Sequence, residues 1–199
     1  MLQGCAGCFH VEEPLERRVA LKVALGIVLG LKFVDIVAAQ EVDPRNARPQ
    51  DGDQLVFADG DRQGEIITPQ DPPLGGPHVR AFPVDPHSKL IRDGSRLNKV
   101  LLVRFDPDQL GEQSRQRAVN GVVAYSAICT HQGCEASEWD AEAKTSWCPC
   151  HDSKFDLREN GRVVSGPAPR RLAALPLRSA GGVLTVAGGF TGPVGPKTR

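Results

Sequence analysis

The part of the chain that decides its fold runs from residue 129 to residue 153 and contains two short motifs. The first is Cys129-Thr-His131-Gln132-Gly-Cys134, and the second is Cys148-Pro-Cys150-His151-Asp-Ser153. Each motif supplies two cysteines and one histidine, so this short stretch holds four of the six cysteines in the chain. Cysteines crowded in this way indicate a metal site, a disulfide or both, and not scattered core thiols.

The donor atoms of the two motifs suit two kinds of metal centre. Two thiolates and two imidazoles can hold one zinc ion in a tetrahedron, although a Cys-x-His spacing is unusual for a zinc finger. A two-iron, two-sulfur cluster can take two cysteines on one iron and two histidines on the other. In either case four of the six donors are used, and a zinc site would leave the other two cysteines without a task.

Cys-x-His-x-Gly-Cys followed by Cys-Pro-Cys-His-x-Ser resembles the signature of the Rieske iron–sulfur family. The resemblance implies a [2Fe–2S] cluster as the cofactor and a role in electron transfer. It implies that Cys129 and Cys148 bind the buried iron of the cluster, and that His131 and His151 bind the outer iron near the surface.

The remaining cysteines of the motifs, Cys134 and Cys150, match the family's disulfide between the two cluster loops. The Rieske domains of cytosolic oxygenases and their ferredoxins generally lack this pair. Because a disulfide persists in an oxidising compartment, we expect the domain to lie in the bacterial periplasm.

The resemblance also assigns the surroundings of the cluster. Ser153 stands where high-potential relatives place a hydroxyl that bonds a bridging sulfide, and Gly166-Pro167 resembles the proline loop that covers the cluster. Phe155 stands where many quinol-oxidising members have a tyrosine, and Gln132 where relatives often have an apolar residue. The missing hydroxyl of Phe155 predicts an intermediate-to-high reduction potential, below that of the tyrosine-bearing members. The polar Gln132 weakens the expectation of quinol docking.

Residues 19–39, VALKVALGIVLGLKFVDIVAA, form the one long apolar run of the sequence. A helix of this length, at about 1.5 Å per residue, reaches roughly the 30 Å of a bilayer core. One interpretation is an inner-membrane anchor with a cytoplasmic N-terminus. The other is a signal helix cleaved after Ala39, since Arg17-Arg18 before the run resembles a twin-arginine export signal.

The rest of the chain predicts an all-β protein, a Rieske-type antiparallel domain with an inserted cluster-binding subdomain. Short apolar or alternating runs recur between turn signals: DQLVFA, GEIIT, HVRAF, KVLLVRF, GVVAYSAI, SWCPC, RVVSG and VLTVAGG. Asn160-Gly161 indicates a type I′ hairpin turn. We therefore expect a polar N-terminal segment at 1–18, the helix at 19–39, a linker at 40–52 and the domain at 53–199, with the cluster held by about 127–170.

Composition excludes one class of function. Lys+Arg and Asp+Glu both total 24, so the chain has no basic excess for a phosphate backbone, and we expect no nucleic-acid partner. A Rieske oxygenase would need a further iron site of two histidines and a carboxylate, and no histidine follows His151. We therefore expect an electron-transfer subunit and not a catalyst in its own right.

Two electron-transfer roles remain, with a soluble Rieske ferredoxin as a weaker third. Residues 121–131 and 151–156 most resemble the small Rieske subunit of arsenite oxidase. This favours a periplasmic oxidoreductase in which a larger catalytic subunit donates electrons and a cytochrome c-type protein accepts them. The alternative is the Rieske subunit of a cytochrome bc-type quinol oxidase, with a cytochrome b-type partner.

Overall fold

The computed structural model describes residues 43–197. The apolar run at 19–39, with its anchor and signal interpretations, lies outside these residues. Within them, no helix is long and apolar enough to cross a bilayer. Ten strands, three 3-10 helices and one short α-helix make up this part of the chain, so the predicted all-β class is confirmed.

The strands form two antiparallel sheets. The larger sheet contains β1 (Gln54–Phe57), β2 (Val79–Val84), β3 (Val100–Arg104), β4 (Val122–Ser126), β9 (Leu177–Ala180) and β10 (Val183–Val186), in the order β4-β3-β2-β1-β10-β9. The smaller sheet contains β5 (Glu138–Asp140), β6 (Thr145–Cys148), β7 (Ser153–Asp156) and β8 (Arg162–Ser165), in chain order. Since β5–β8 fall between β4 and β9 in the sequence, the smaller sheet is an insertion into the larger one, as predicted.

The helical pieces are short and begin at capping residues. The 3-10 helices are Pro44–Asn46, Arg96–Asn98 and Pro107–Gln109, and the α-helix is α1 (Glu112–Arg115). Side-chain oxygens cap the three 3-10 helices by accepting a hydrogen bond from a backbone N–H two residues on; these residues are Asp43, Ser95 and Asp106. This use of Asp and Ser satisfies amides that a helix start leaves free.

Strands β3 and β4 are buried on both faces and separate two hydrophobic cores. Side chains alternate between the faces of a strand, so Leu101 and Tyr125 enter one core while Leu102 and Ala124 enter the other. The second core belongs to the larger sheet. The first extends into the inserted sheet and also contains Cys129 and Cys148, so the predicted cysteine ligands are part of a buried hydrophobic core.

The structure differs in places from the strands and turns predicted from the sequence. The GEIIT run is not a strand, since it pairs only through one bridge between Ile66 and Val56. The quoted runs do not include β5, β7 or β9, and β5 is an acidic strand that pairs with β6. At Asn160-Gly161 both residues have positive φ (55° and 66°), and Arg162 N–H donates to Glu159 O at 3.1 Å. The turn therefore has the φ values and hydrogen bond of type I′, but it lies within a five-residue loop, since Asp156 pairs with Arg162.

Residues 43–52, which the sequence analysis assigned to the end of a linker, contact the domain. Arg45 forms an ion pair with Asp93 at 2.8 Å. The side chain of Asn98 donates to Ala47 O at 2.8 Å, and Gly52 N–H donates to Val186 O at 3.0 Å. These contacts fix the path of the chain as it enters β1.

Candidate metal centre

The first cysteine–histidine motif is a tight loop that follows β4. An antiparallel bridge joins Ile128 to Glu135 on either side of it. Within the loop, Cys129 N–H donates to Cys134 O at 2.8 Å, and Gly133 N–H donates to Cys129 O at 3.1 Å. The loop therefore closes on itself, and its first cysteine is held by the backbone from both directions.

The second motif is the turn between β6 and β7, where Cys148 pairs with Ser153. Asp152 has positive φ (57°), and its side chain accepts a hydrogen bond from Trp147 Nε1 at 3.2 Å. The sulfurs of Cys134 and Cys150 form a disulfide between the two loops, the pairing that the resemblance implied. Both motifs are thus brought to one end of the inserted sheet.

The other two cysteines of the motifs are buried neighbours. Cys129 is 1% exposed and Cys148 is 2% exposed, and both are free thiols. Burial raises the pKa of Cys148 and the neighbouring Cys129 raises it further, while the backbone N–H groups of Cys150 and His151 lower it. Those amides favour the thiolate, the form in which cysteine binds a metal.

The two histidines of the motifs lie side by side at the surface. The ring centroids of His131 and His151 are 4.6 Å apart, and the rings are perpendicular. His151 is exposed and His131 is half-buried. His131 Nδ1 is buried and has no hydrogen-bond partner within residues 43–197. Since a buried polar nitrogen is costly unless satisfied, this atom fits a metal ligand facing inward.

These observations define the donor set. The sulfurs of Cys134, Cys148 and Cys150 lie within 4.8 Å of one another, but two of them are bonded to each other and are not available as thiolates. The usable donors are therefore two thiols and two imidazoles. This set fits a two-iron cluster with mixed ligands, and by donor chemistry alone it also fits zinc.

A third loop closes against the two motifs. Ala168 N–H donates to the buried hydroxyl oxygen of Ser153 at 3.1 Å. A Cβ on Gly166 would lie 2.5 Å from Ser153 Cα and 2.6 Å from Asp152 O, and Gly166 has φ +85°. Only glycine allows this close approach, which brings the exposed Pro167 beside the second motif. The loop therefore lies where the resemblance placed the proline loop.

The two residues that depart from the family pattern have different surroundings. Phe155 is fully buried and belongs to the same core as Cys129 and Cys148. Gln132 is exposed beside the half-buried His131. A polar side chain therefore borders the imidazoles at the surface.

Two residues of the site, Thr130 and Arg170, were not predicted from the sequence. Thr130, between the two donors of the first motif, is buried, and its hydroxyl donates to Arg170 O at 2.6 Å. Its place inside the Cys-x-His motif is the only signal that the sequence gives for a role. Arg170 lies forty residues further on, and no local pattern links it to the site.

Comparison with known families identifies the class of protein. Residues 99–176 match the family model of the Rieske [2Fe-2S] domain, a span that includes both motifs and the third loop. Residues 99–176 therefore form a Rieske [2Fe–2S] domain, whose cofactor is the Rieske-type [2Fe–2S] cluster. This match decides between the cluster and zinc, which the donor atoms alone left open.

Individual relatives agree with this family. A Haloferax mediterranei protein assigned as respiratory nitrate reductase subunit Rieske is 38% identical over 73% of this chain and 61% of its own. The cytochrome bc1 complex Rieske iron-sulfur subunit of Streptomyces lividans is 38% identical over 49% of this chain and 58% of its own. The chain thus spans about three fifths of each relative.

Among solved structures, the soluble domain of the Rieske protein II from Sulfolobus acidocaldarius is 26% identical. The match covers 49% of this chain and 64% of that one, with a TM-score of 0.38. A superposition this partial does not bear on function.

Proposed function

We propose that this chain is the electron-transfer subunit of a respiratory oxidoreductase, with Cys129 and Cys148 on the buried iron and His131 and His151 on the outer iron. The observation that supports it most strongly is that the two motifs provide two buried free thiols and two adjacent imidazoles. One of these imidazoles, that of His131, has a buried Nδ1 atom without a hydrogen-bond partner in the described part of the chain. When bound, the cluster takes up and releases one electron. The protein's part is to hold it, tune its potential and present it to partners.

The tuning follows from the charge and hydrogen bonding of the ligand set. Histidines are neutral where thiolates are anionic, so Rieske centres lie at about −150 to +300 mV, against about −400 mV for plant-type ferredoxins. The hydroxyl of Ser153 accepts the N–H of Ala168, which leaves its own proton to donate toward the cluster. Phe155 supplies no such donor. We therefore infer an intermediate-to-high potential.

The exposed histidine edge is the proposed contact with redox partners. His151 is exposed and His131 is partly exposed, while Cys129 and Cys148 are buried. The outer iron would therefore lie closer to solvent than the buried iron. A partner bound over the imidazoles would have the shortest path for the electron.

The role we favour is the small subunit of a membrane-associated periplasmic oxidoreductase, with a larger catalytic subunit as donor and a cytochrome c-type acceptor. The relative assigned to a respiratory nitrate reductase covers the larger share of this chain, 73%. The disulfide agrees with an oxidising compartment, and the exposed Gln132 with a partner other than a quinol. Neither nitrate nor arsenite follows as the primary substrate, since a Rieske subunit need not touch it.

The second candidate is the Rieske subunit of a cytochrome bc-type quinol oxidase, whose partner is a cytochrome b-type subunit. It is favoured by the Streptomyces lividans relative. The two roles share the cluster and differ in the donor, so the donor is what an experiment must identify.

The experiment captures the tagged full-length chain from its native membrane in mild detergent and identifies the subunits that co-purify. We expect a large catalytic subunit without haem b, and oxidation of the pre-reduced complex by a cytochrome c. A haem b subunit and cluster reduction by added quinol would instead support the second role. A Cys129→Ser variant is the matched control, since it should lose the cluster and all electron transfer.

A further inference from the structure

The segment Thr191–Lys197, here called the strap, returns from the end of the larger sheet to the back of the first motif. It starts at a fixed point. Thr191 N–H donates to Ala174 O at 2.9 Å, and the Thr191 hydroxyl oxygen accepts from Ala174 N–H at 3.1 Å. Two hydrogen bonds between the same pair of residues leave the strap little freedom at this end.

The far end of the strap touches the first motif. A Cβ on Gly133 would lie 3.2 Å from Pro196 Cδ, and one on Gly195 would lie 3.2 Å from Ile128 Cγ2. Val194 packs against the core that contains Cys129 and Cys148. The strap therefore packs directly against the first motif.

Arg170 joins the strap to the same motif through both its side chain and its backbone. Its guanidinium donates from Nη2 to Gly195 O at 2.7 Å and from Nη1 to Pro193 O at 3.2 Å. Its carbonyl oxygen accepts the Thr130 hydroxyl at 2.6 Å. Thr130 is the residue between Cys129 and His131 in the sequence. A displacement of the Arg170 backbone would therefore move Thr130 and, with it, the two predicted ligands on either side.

A second arginine acts on the same loop. Arg96 Nη2 donates to Gly133 O, and a Cβ on Gly133 would lie 3.1 Å from this nitrogen. Gly133 is buried and has φ +83°. The Arg96 guanidinium and Pro196 of the strap thus both lie against Gly133 and leave no room for a side chain there.

We propose that Arg170 is a positioning residue for the cluster, which clamps the strap onto the first motif and through Thr130 sets the place of Cys129 and His131. The proposal rests on the proposed function, because it concerns the same ligands. A bidentate, charge-assisted contact of this kind needs the fork of an arginine, which lysine does not reproduce.

The test compares Arg170→Ala, Arg170→Lys and Arg171→Ala in the full chain. Arg171 is the matched control, since it is the adjacent arginine and is exposed. Loss of charge-assisted hydrogen bonds should raise the rate of cluster loss on the order of tenfold in Arg170→Ala. We expect a shifted reduction potential and altered EPR g-values in that variant, partial recovery in Arg170→Lys, and wild-type values in Arg171→Ala.

A readout without the cluster completes the test. In the apoprotein, amide hydrogen exchange over residues 128–134 and 191–197 should become faster together in Arg170→Ala, while exchange in β3 stays unchanged. Wild-type cluster lifetime, potential and exchange in Arg170→Ala would overturn the clamp and leave the proposed function standing. A wild-type chain that binds no cluster would overturn the proposed function. The hydrogen-exchange result in the apoprotein would still show whether Arg170 holds the strap on the first motif.

Discussion

The hydroxyl oxygen of the fully buried Ser153 accepts a hydrogen bond from the backbone N–H of Ala168 at 3.1 Å. One contact therefore joins the second ligand motif to the loop that covers it. Because the oxygen serves as the acceptor, the hydroxyl proton remains free to donate toward the cluster. We therefore expect two separable roles for this residue, closure of the loop and stabilisation of the reduced cluster.

Ser153→Ala should lower the reduction potential on the order of 50 mV, because a one-electron shift of 59 mV corresponds to about 1.4 kcal/mol, close to the net value of one hydrogen bond. Voltammetry of the loaded protein measures it. Ser146→Ala is the control, since Ser146 is equally buried but donates to Ala136 O. That variant should lose stability and keep its potential. Equal potentials in both variants would contradict the donor role of Ser153.

Phe155→Tyr should raise the potential by a similar amount if its new hydroxyl reaches a ligand sulfur. Phe155 is fully buried, so a hydroxyl without a partner would instead lower the free energy of unfolding by about 1–3 kcal/mol. Voltammetry and thermal denaturation on the same sample separate these outcomes. An unchanged potential with a lower Tm would show that the ring does not point at the cluster.

Replacing both cysteines of the disulfide, Cys134→Ser with Cys150→Ser, should make the cluster labile without removing a ligand. The bridge spans a separation of 16 residues, and closing a loop of this size contributes about 3 kcal/mol in the chain-entropy account. Visible absorbance followed over time measures cluster loss. A lifetime equal to that of the wild type would mean that the strap and the third loop hold the motifs by themselves.

His78 gives a prediction for stability that does not involve the cluster. Burial lowers the pKa of His78, and the hydrogen bond to Ser137 O at 3.1 Å offsets this only in part. The folded protein therefore binds this proton less readily than the unfolded chain, in which histidine titrates at about 6.5. The free energy of unfolding should fall as the pH drops below about 6.5 and be unaffected by this group above it.

Urea denaturation at pH 7.5, 6.5, 5.5 and 5.0 tests that prediction at constant cluster content. His78→Gln should reduce the slope of stability against pH below 6.5. His87→Gln, which changes an exposed histidine, should leave it as in the wild type. An identical slope in all three proteins would show that burial of His78 does not control the acid response.

Features formed by residues close together in the sequence could be predicted, whereas contacts between residues far apart in the sequence could not. The donors of both motifs lie a few residues apart, so their chemistry is visible in the sequence, and the continuous apolar run in KVLLVRF was enough to place β3. The contacts between Thr130 and Arg170 and between Arg170 and Gly195 join residues 40 and 25 positions apart. No local pattern encodes them, because they depend on how the third loop and the strap fold back.

Strand prediction failed where local propensity and tertiary pairing disagree. Ile66 and Ile67 are β-branched and favour a strand, yet only Ile66 forms a bridge. Glu138–Asp140 is acidic and disfavours one, yet it pairs with β6 over three residues. In both cases the available partner strand decided the outcome, which is the known weakness of β-propensity.

The central claim is a [2Fe–2S] cluster held by Cys129, Cys148, His131 and His151, and metal analysis combined with EPR of the full chain tests it most directly. The account predicts about two irons and two acid-labile sulfides per chain, and a reduced-state signal with nitrogen hyperfine couplings from two histidines. His151→Cys should lower the potential or lose the cluster, because a thiolate adds negative charge at the outer iron. One zinc per chain with no labile sulfide, or a cluster signal without coupled nitrogen, would contradict the account.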